Sequence, residues 1–391
     1  MTSNFLGNAL SFYAFITIAL AESALGVVLP SIQNTYNLNS ATVSLLFLSQ
    51  MSGYIASALS SSLLVNKFGL AKTLLLGSIS LGLSLLIYAV TPAWSIMVLT
   101  GTLLGLGIGL IDAGVNTYVA SNQDNAGITG FLHAFYGIGA FVGPAIATTL
   151  LSLGWNWRTV YITFASLTGF LTLAMLWLDI SHYAPMSRIV RTSSTNSLRN
   201  VKIALTSKIV ILAAILSLVT VGLEASVSNW AYSVENISRQ IPPTLAGYSI
   251  SAYWAGMTLG RISMGLAVRH LGPISTLNAS LGLLISSLLV WCFFPLQLWS
   301  LLFIGLGGGA IFPLTIWLMP QRVNTSLAPA AISFLTSAAS LGASAIPTLL
   351  GWAASLKNLE IIPILMIVIS LAMLIIHYWL VKHSNLISPN T

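Results

Sequence analysis

Long apolar runs alternate with short polar or Gly/Pro-containing segments along the whole chain. A transmembrane helix needs about 20 consecutive apolar residues, whereas a strand of an outer-membrane barrel has about ten residues of alternating polarity. The runs are long and do not alternate, so they predict an all-α membrane protein. The twelve predicted spans are 6–29, 41–65, 70–90, 94–120, 129–153, 157–179, 208–232, 244–268, 273–295, 297–320, 326–352 and 357–381.

Composition strengthens this prediction, because the chain has too few charged residues to cover a water-facing surface. Of 391 residues, 56% are hydrophobic and 5% are charged, whereas about a quarter of the residues in a soluble domain are charged. The mean hydropathy is +0.92. We therefore expect most of the surface to face the lipid bilayer. The first run is expected to be a true span and not a cleaved signal, because no basic residue precedes Lys67.

Basic residues predict the orientation, because cytoplasmic loops of membrane proteins are enriched in Lys and Arg. With both termini inside, the cytoplasmic segments carry Lys67, Lys72, Arg188, Arg191, Arg199, Lys202, Lys208, Arg269, Arg322 and Lys382. The outer loops then carry only Arg158, Arg239 and Lys357, and Arg261 lies inside the eighth span. The basic residues of the cytoplasmic loops thus explain the net charge of +7, and no nucleic-acid partner is predicted. The predicted location is the inner (plasma) membrane.

The two halves of the chain carry equivalent landmarks at a nearly constant offset. The separations are 202 positions for Glu22 and Glu224, 203 for Gly69 and Gly272, 200 for Gly105 and Gly305, and 203 for Pro144 and Pro347. This offset predicts two six-helix bundles, at 1–180 and 208–391, related by a parallel repeat with a site at their interface. The segment 181–207 is predicted to be a cytoplasmic linker, rich in Ser, Thr and Arg, that also contacts anionic lipid.

Three acidic residues lie within predicted spans: Glu22, Asp112 and Glu224. A charged side chain at the centre of a bilayer costs roughly 2.5–3.5 kcal/mol on insertion scales. These acids are therefore expected to face the interior of the bundle, to be protonated or to be paired. A carboxyl group that loads a proton on one side of the membrane and releases it on the other provides proton coupling, which we predict for all three.

Asp112 and Asn116 lie four residues apart on one face of the fourth span. A titratable carboxyl beside an amide that both donates and accepts hydrogen bonds suits a hydroxyl-rich solute. The alternative is a polar clasp between helices. For Glu22 and Glu224 the alternatives are a gating or solute-coordinating pair and a contact that satisfies a broken or glycine-rich partner helix.

Other polar and aromatic residues are candidates for solute binding: Asn229, His133, Tyr136, Trp254 and Trp317. A histidine could relay protons or make an ordinary helix-end hydrogen bond. Aromatic rings could stack on a sugar or belong to the interfacial belts of a membrane protein. Arg261 is expected to close a cytoplasmic-side network with acids or helix-end carbonyls, in a gating and structural role.

Motifs for catalysis or cofactor binding do not occur in the sequence. There is no G-x-x-x-x-G-K-[ST], no H-E-x-x-H and no paired cysteine, and the single Cys292 lies in an apolar run. The sequence therefore predicts no enzymatic activity, no cofactor and no metal site.

Three segments resemble signatures of the major facilitator superfamily of transporters. They are Ser62-Leu-Leu-Val-Asn66-Lys67-Phe-Gly69, its second-half counterpart from Gly260-Arg261 to Gly272, and Gly139-x-x-x-Gly143-Pro144. In the first, Ser62 and Asn66 replace the usual Gly and Asp. The resemblance implies two six-helix bundles, alternating access and a monomer. It also implies gating or structural roles for Asn66, Lys67, Gly69, Arg261, Gly143 and Pro144.

Two further segments resemble the fucose/proton symporters and related hexose transporters. The fourth span contains Gly105-Leu-Gly-Ile-Gly-Leu-Ile-Asp112-Ala-Gly-Val-Asn116, and the fifth contains Leu132-His133-Ala-Phe135-Tyr136-Gly-Ile-Gly139. In that family the acid of the fourth helix is tied to proton coupling and sugar recognition, which the resemblance assigns to Asp112. The first span differs, because Gly26 stands four residues before Pro30, where the family has an acid, and Glu22 lies one turn earlier.

Together these features predict a secondary transporter, working by proton-coupled symport, of a small polar solute such as a monosaccharide, with Na⁺ as the alternative coupling ion. Efflux of a drug, siderophore or other metabolite by proton antiport is the alternative within the same fold. The absence of an arginine near Gly101, where many drug/proton antiporters have one, disfavours efflux. A non-transporting sensor or scaffold is the alternative of a different class, and the retained intramembrane acids disfavour it.

Overall fold

The computed structural model describes residues 5–121, 126–187, 203, 206–324 and 327–384. These residues form helices, with no β-strand among them. Eleven of the helical segments are long and apolar enough to cross a membrane. The eighth predicted span is also one long helix, but its serines, threonines and Arg261 make it less apolar than the others. The predicted all-α membrane fold is confirmed.

The chain divides into two compact units, Met1–Thr192 and Ser193–Thr391. We call them the N-terminal and the C-terminal unit. The division falls within the predicted linker 181–207, most of which lies outside the described residues. The described helices of the N-terminal unit are α1 (Phe5–Ser23), α2 (Leu25–Tyr36), α3 (Ser40–Val43), α4 (Leu45–Phe68), α5 (Leu70–Val90), α6 (Trp94–Ser121), α7 (Ala126–Ser152), α8 (Trp157–Ile180) and α9 (Ala184–Ser187).

The C-terminal unit repeats this series of long helices. Its helices are α10 (Lys208–Ser233), which continues as a π-helical turn (Val234–Ser238), α11 (Pro243–Leu271), α12 (Pro273–Phe293), α13 (Trp299–Gly309), α14 (Ile311–Trp317), α15 (Met319–Arg322), α16 (Ala328–Leu356) and α17 (Ile361–His383). Most predicted boundaries agree with these helices to within a few residues.

Two spans are interrupted, which the apolar pattern did not predict. The first span is broken at Ala24 and continues as α2 to Tyr36, beyond the predicted end at residue 29. Pro30 lies inside α2, and because proline has no N–H, the carbonyl of Gly26 loses its helical hydrogen bond. The tenth span consists of three short helices, α13 to α15, separated at Ala310 and Leu318.

Corresponding helices pack together in each unit. In the N-terminal unit the main pairs are α1 with α7, α4 with α6, and α5 with α8. In the C-terminal unit the corresponding pairs are α10 with α16, α11 with α13 and, less extensively, α12 with α17. These are the same pairs of spans (first with fifth, second with fourth, third with sixth), as a parallel repeat requires.

Glycines permit the closest of these contacts. A Cβ added to Gly105 of α6 would collide with the backbone of Gln50 on α4, and a Cβ added to Gly305 of α13 would collide with the backbone of Tyr253 on α11. Gly105 and Gly305 are one of the pairs that define the sequence offset. The repeat therefore preserves a close backbone approach between the second and fourth spans of each unit.

One arginine in each unit binds the ends of three spans. In the N-terminal unit, Arg158 at the start of α8 donates to the carbonyl of Ala89 at 3.1 Å and to the hydroxyl of Tyr36 at 3.3 Å. Its guanidinium also lies 4.6 Å from the ring centroid of Trp157. Arg158 thus connects the first, third and sixth spans of its unit at one end.

In the C-terminal unit the corresponding span ends are joined by Arg239, which follows the π-helical turn at the end of the seventh span. It donates two hydrogen bonds, of 3.0 and 2.9 Å, to the carboxylate of Glu360, and a third of 2.7 Å to the carbonyl of Trp291. It therefore joins α10, α12 and the start of α17. Burial raises the pKa of Glu360, but the hydrogen bonds and charge of Arg239 outweigh that effect and hold this pKa below its ordinary value.

Glu360→Gln is expected to lower the melting temperature of the purified protein in detergent by about 2–4 °C at neutral pH. The folded-state pKa of Glu360 is lowered, so its contribution to stability is present above the ordinary carboxyl pKa of 4.5 and is lost as the pH falls through the lower folded value. The difference in melting temperature between the native chain and Glu360→Gln should therefore disappear only when the pH falls below the folded-state pKa of Glu360. Lys357→Gln, which removes an exposed charge nearby, is the control, and an equal effect of both variants would contradict the assignment.

Candidate functional site

The carboxyl group of Asp112 is held by donors from two helices. Tyr54 on α4 donates from its hydroxyl to Oδ2 of Asp112 at 2.7 Å. Asn116, one turn further along α6, donates from Nδ2 to Oδ1 and to the carbonyl of Asp112, both at 2.9 Å. Both carboxyl oxygens accept hydrogen bonds, which is the pattern expected of the deprotonated group. Asp112, Tyr54 and Asn116 are half-buried, so the cluster is not sealed inside the unit.

This cluster combines the two interpretations of Asp112 and Asn116. The two residues share one helix face, as predicted, and the amide of Asn116 is engaged with the aspartate. Tyr54 adds an interhelical bond, so Asp112 also forms a polar clasp between α4 and α6. Protonation of Asp112 would turn one carboxyl oxygen into a donor and would require at least one of these hydrogen bonds to reverse or break.

Glu22 on α1 forms a second cluster in the N-terminal unit. The hydroxyl of Tyr136 on α7 donates to Oε2 of Glu22 at 2.8 Å, and the ring of Tyr136 contacts Phe15 edge-on at 6.3 Å. Glu22 and Asp112 are close enough for an electrostatic interaction. The charge on one carboxyl group therefore influences the other, although they belong to different helices.

Two glycines of α7 bring α1 close to this tyrosine. A Cβ on Gly139 would lie 2.6 Å from the carbonyl oxygen of Ile16. A Cβ on Gly143 would collide with the side chain of Ser23 on α1, and Pro144 follows within α7. The segment Gly139-x-x-x-Gly143-Pro144 is therefore placed where it sets the distance between Glu22 and Tyr136.

The C-terminal unit contains an intramembrane ion pair. Nη2 of Arg261 on α11 lies 3.6 Å from Oε2 of Glu224 on α10, and the same nitrogen donates to Sδ of Met257 at 3.3 Å. The hydroxyl of Tyr253 donates to the backbone carbonyl of Glu224 at 3.0 Å. Glu224 is 7% exposed, and its Oε1 has no hydrogen-bond partner in the part of the chain that the structure describes.

This ion pair identifies Glu224 as the acidic partner of Arg261. It also shows that Glu22 and Glu224 have different partners. Arg261 was expected to close a network with acids or helix-end carbonyls, and the acid is Glu224. Glu22, the residue equivalent to Glu224 in the repeat, is bound by a tyrosine instead. The repeat therefore preserves an acid in the first span of each unit but not the chemistry of its partner.

The remaining solute-binding candidates have differing environments. Asn229 on α10 is half-buried, and Trp254 on α11 is half-buried with its ring 5.5 Å from that of Tyr253. His133 on α7 is exposed, and its ring contacts Phe15 edge-on at 6.1 Å. Trp317, at the end of α14, is 49% exposed. Tyr136 donates a hydrogen bond to the intramembrane acid Glu22, and Trp254 lies beside the tyrosine that binds the backbone of Glu224.

The candidate gating residues of the N-terminal unit lie at the end of α4. Asn66 and Lys67 are exposed, and the ammonium of Lys67 lies 5.2 Å from the ring centroid of Phe68. Gly69 ends the helix with φ of +84°, a conformation that glycine adopts without the steric cost that a side chain imposes. The equivalent Gly272 ends α11 with φ of +79°, so both signature loops turn in the same way.

Sequence reasoning missed two polar residues. Tyr54 binds Asp112, but an isolated tyrosine in an apolar span carries no signal of which way it points. The seventh span was predicted to end at residue 232, which is wrong because the π-helical turn extends it to Ser238 and includes Glu235. Glu235 is fully buried and accepts hydrogen bonds from Ser249 at 2.6 Å and from Trp291 at 3.2 Å.

Two units of matching helix pairs, with carboxylates held inside the spans, define a multi-pass membrane transport protein. The sequence pattern of the Major Facilitator Superfamily matches residues 11–347. The chain belongs to this superfamily, which confirms the resemblance found in the sequence.

Several relatives share most of their length with this chain. It is 25% identical to the glucose/mannose transporter GlcP of Bacillus subtilis over 357 residues, or 88% of each chain. It is 23% identical to Bypass of stop codon protein 6 of Saccharomyces cerevisiae over 391 residues, covering 90% of this chain and 77% of the yeast protein.

Solved structures share the fold at lower sequence identity. The D-xylose-proton symporter has a TM-score of 0.78 at 14% identity, covering 100% of both chains. A mutant of the nucleoside transporter NupG has a TM-score of 0.80 at 14% identity, covering 96% of this chain and 99% of NupG. FucP in its outward conformation has a TM-score of 0.63 at 13% identity, covering 97% and 99%.

Proposed function

We propose that this protein is a proton-coupled symporter of a small hydroxylated solute, of which a monosaccharide is the leading candidate. The observation that carries this proposal is the carboxylate of Asp112, which accepts hydrogen bonds from Tyr54 and Asn116 inside a membrane span. Such a group is costly in a membrane unless it has a function or a partner. The names of the relatives support the solute class, because GlcP is a glucose/mannose transporter and a fold neighbour is a D-xylose-proton symporter.

The proposed coupling step follows from the hydrogen bonds of Asp112. When Asp112 is deprotonated, Tyr54 and Asn116 both donate to it. When a proton binds, the carboxyl group no longer needs two donors, and the amide of Asn116 becomes available to a hydroxyl group of the solute. Binding of the proton and binding of the solute then favour the same state, which is the requirement for symport.

The other intramembrane charges have proposed supporting roles. Glu22 would sense the charge of Asp112 and hold α7 through Tyr136. The pair of Glu224 and Arg261 would adjust the C-terminal unit, with Asn229, Trp254 and Trp317 as further solute contacts and His133 as a proton relay. Asn66, Lys67 and Gly69 would control the opening at their end of the bundle, while Gly143 and Pro144 set the packing of α7.

We further propose that the protein works as a monomer by alternating access in an inner (plasma) membrane, with both termini cytoplasmic. The distribution of basic residues supports this orientation. H⁺ is the proposed coupling ion because carboxyl groups bind and release protons, and Na⁺ is the alternative.

A test is the uptake of a labelled panel of hexoses, deoxyhexoses, pentoses and nucleosides into proteoliposomes that contain the native chain. We expect at least one sugar to accumulate above its external concentration when an inward proton gradient is imposed. Collapse of the gradient with a protonophore should stop accumulation, whereas replacement of Na⁺ should leave it unchanged. A folded, correctly inserted protein that accumulates no member of the panel would contradict the proposal and would favour efflux of a larger metabolite.

A further inference from the structure

Arg322, at the end of the tenth span, is a buried charge with no hydrogen-bond partner among the described residues. It lies in α15 and is 3% exposed. None of its three guanidinium nitrogens has a hydrogen-bond partner within the described ranges of the chain. The guanidinium of an arginine is not deprotonated in proteins, so the side chain carries its positive charge at neutral pH. A buried cation of this kind is costly unless a group of opposite charge compensates it.

A second buried polar atom lies close to this guanidinium. His377 of α17 is 2% exposed and is near enough to Arg322 for an electrostatic interaction. Its Nε2 lies 3.0 Å from Oδ1 of Asn278 on α12, so Nε2 carries the hydrogen of that bond. Its Nδ1 is buried and lacks a hydrogen-bond partner among the residues that the structure describes. A histidine brings no negative charge, so His377 does not compensate the charge of Arg322.

The C-terminal unit has no acid of its own to neutralise Arg322. Between residues 193 and 391 the sequence contains only three acidic side chains, at Glu224, Glu235 and Glu360. Glu224 is paired with Arg261 and Glu360 with Arg239. Glu235 and Glu360 lie at the opposite end of the spans from Arg322. The compensating negative charge must therefore come from outside this unit.

The position of Arg322 is consistent with access from the membrane surface. Helix α11 ends with Arg269, and α17 ends near Lys382, at the same end of the unit as Arg322. Pro320 and Asn324, two residues to either side of Arg322, are both exposed. The guanidinium thus lies just below the surface at the basic end of the unit, where anionic head groups gather on a cytoplasmic membrane face.

We propose that Arg322 forms a binding site for a phosphate group at the basic end of the C-terminal unit. A guanidinium presents its donors as a planar fork that matches two phosphate oxygens, and a phosphate also supplies the negative charge that the unit lacks. Water alone does not meet these needs, because it brings no charge. This site is separate from the Asp112 cluster and does not depend on the identity of the transported solute.

The test compares the melting temperatures of the purified full chain in a non-ionic detergent with chloride or with inorganic phosphate at equal ionic strength. The variants are Arg322→Met, which removes the buried charge, Arg322→Lys, which keeps the charge but loses the fork, and Lys382→Met. Lys382 is exposed at the end of α17, so its variant controls for general attraction of anions. A second arm replaces phosphate by mixed micelles that contain phosphatidylglycerol or phosphatidylcholine.

We expect a ligand-dependent rise of several degrees for the native chain and for Lys382→Met, a smaller rise for Arg322→Lys and none for Arg322→Met. Without ligand, Arg322→Met should be at least as stable as the native chain, because it removes an uncompensated buried charge. A rise with inorganic phosphate identifies a soluble phosphate-bearing ligand, and a rise with phosphatidylglycerol alone identifies a lipid head group. No rise in either arm, or an equal rise in Arg322→Met, would overturn the proposal.

Discussion

Asp112→Asn is expected to abolish solute accumulation in proteoliposomes under an inward proton gradient while leaving the protein folded. Asparagine has nearly the shape of aspartate but does not bind and release a proton. A pH difference of about one unit stores about 1.4 kcal/mol per proton and can support an about tenfold solute ratio when one proton accompanies each solute. Without coupling, the solute only equilibrates, so the ratio of internal to external concentration should fall to about 1.

The fold should survive this substitution because the cluster keeps most of its hydrogen bonds. The amide oxygen of the new asparagine can accept from Tyr54, and Asn116 retains the carbonyl of residue 112 as an acceptor. Tyr54→Phe is the matched control, because it removes one donor but keeps the titratable carboxyl group. This control should slow uptake and still permit accumulation. Accumulation by Asp112→Asn at the native level would transfer the coupling role to Glu22 or Glu224.

Gly105→Ala is expected to destabilise the N-terminal unit and to impair transport together. The added methyl group would collide with the backbone of Gln50 on α4, and a backbone cannot move aside as a flexible side chain can. Overpacking of this kind costs about 1–3 kcal/mol, which exceeds the gain of about 1 kcal/mol that alanine brings to a helix relative to glycine. Gly105 lies two turns before Asp112 on α6. Because the added methyl group would push α6 away from α4, it would also increase the distance between Asp112 and Tyr54.

Gly169→Ala provides the control for this prediction. Gly169 lies within α8, and a Cβ there would meet no atom within 4 Å. The same change should therefore leave the protein as stable or slightly more stable. The melting temperature in detergent and the initial rate of uptake are the two measurements. If both variants behave alike, the α4–α6 contact is looser than the structure indicates.

The sequence predicted the helices well because a membrane leaves few alternatives. Spans of about 20 apolar residues must be helical, and the offset of Gly105 and Gly305 or of Glu22 and Glu224 indicated the repeat. The interruptions at Ala24 and Ala310 were not predicted, because hydropathy measures polarity and not the continuity of a hydrogen-bond ladder. The extension of the seventh span past residue 232 was missed because Glu235 and Asn236 interrupt the apolar run.

The candidate site was predicted in part. Asp112 and Asn116 could be joined because their spacing on one helix fixes their proximity. Tyr54 could not be found, since contacts between helices depend on the rotation of each helix about its axis, which a single sequence does not specify. For the same reason the sequence could not distinguish the tyrosine partner of Glu22 from the arginine partner of Glu224.

The arginines that join the span ends restrict the residue type at some of the positions that they contact and not at others. Arg158 and Arg239 each bind a backbone carbonyl, that of Ala89 in one unit and that of Trp291 in the other. Every amino acid supplies such a carbonyl, so these bonds do not restrict the residue type at their acceptor positions. In a deep mutational scan, substitutions of Arg158 or Arg239 should therefore have larger effects than substitutions at the acceptor positions. The residue at position 89 can differ among distant relatives without loss of this hydrogen bond.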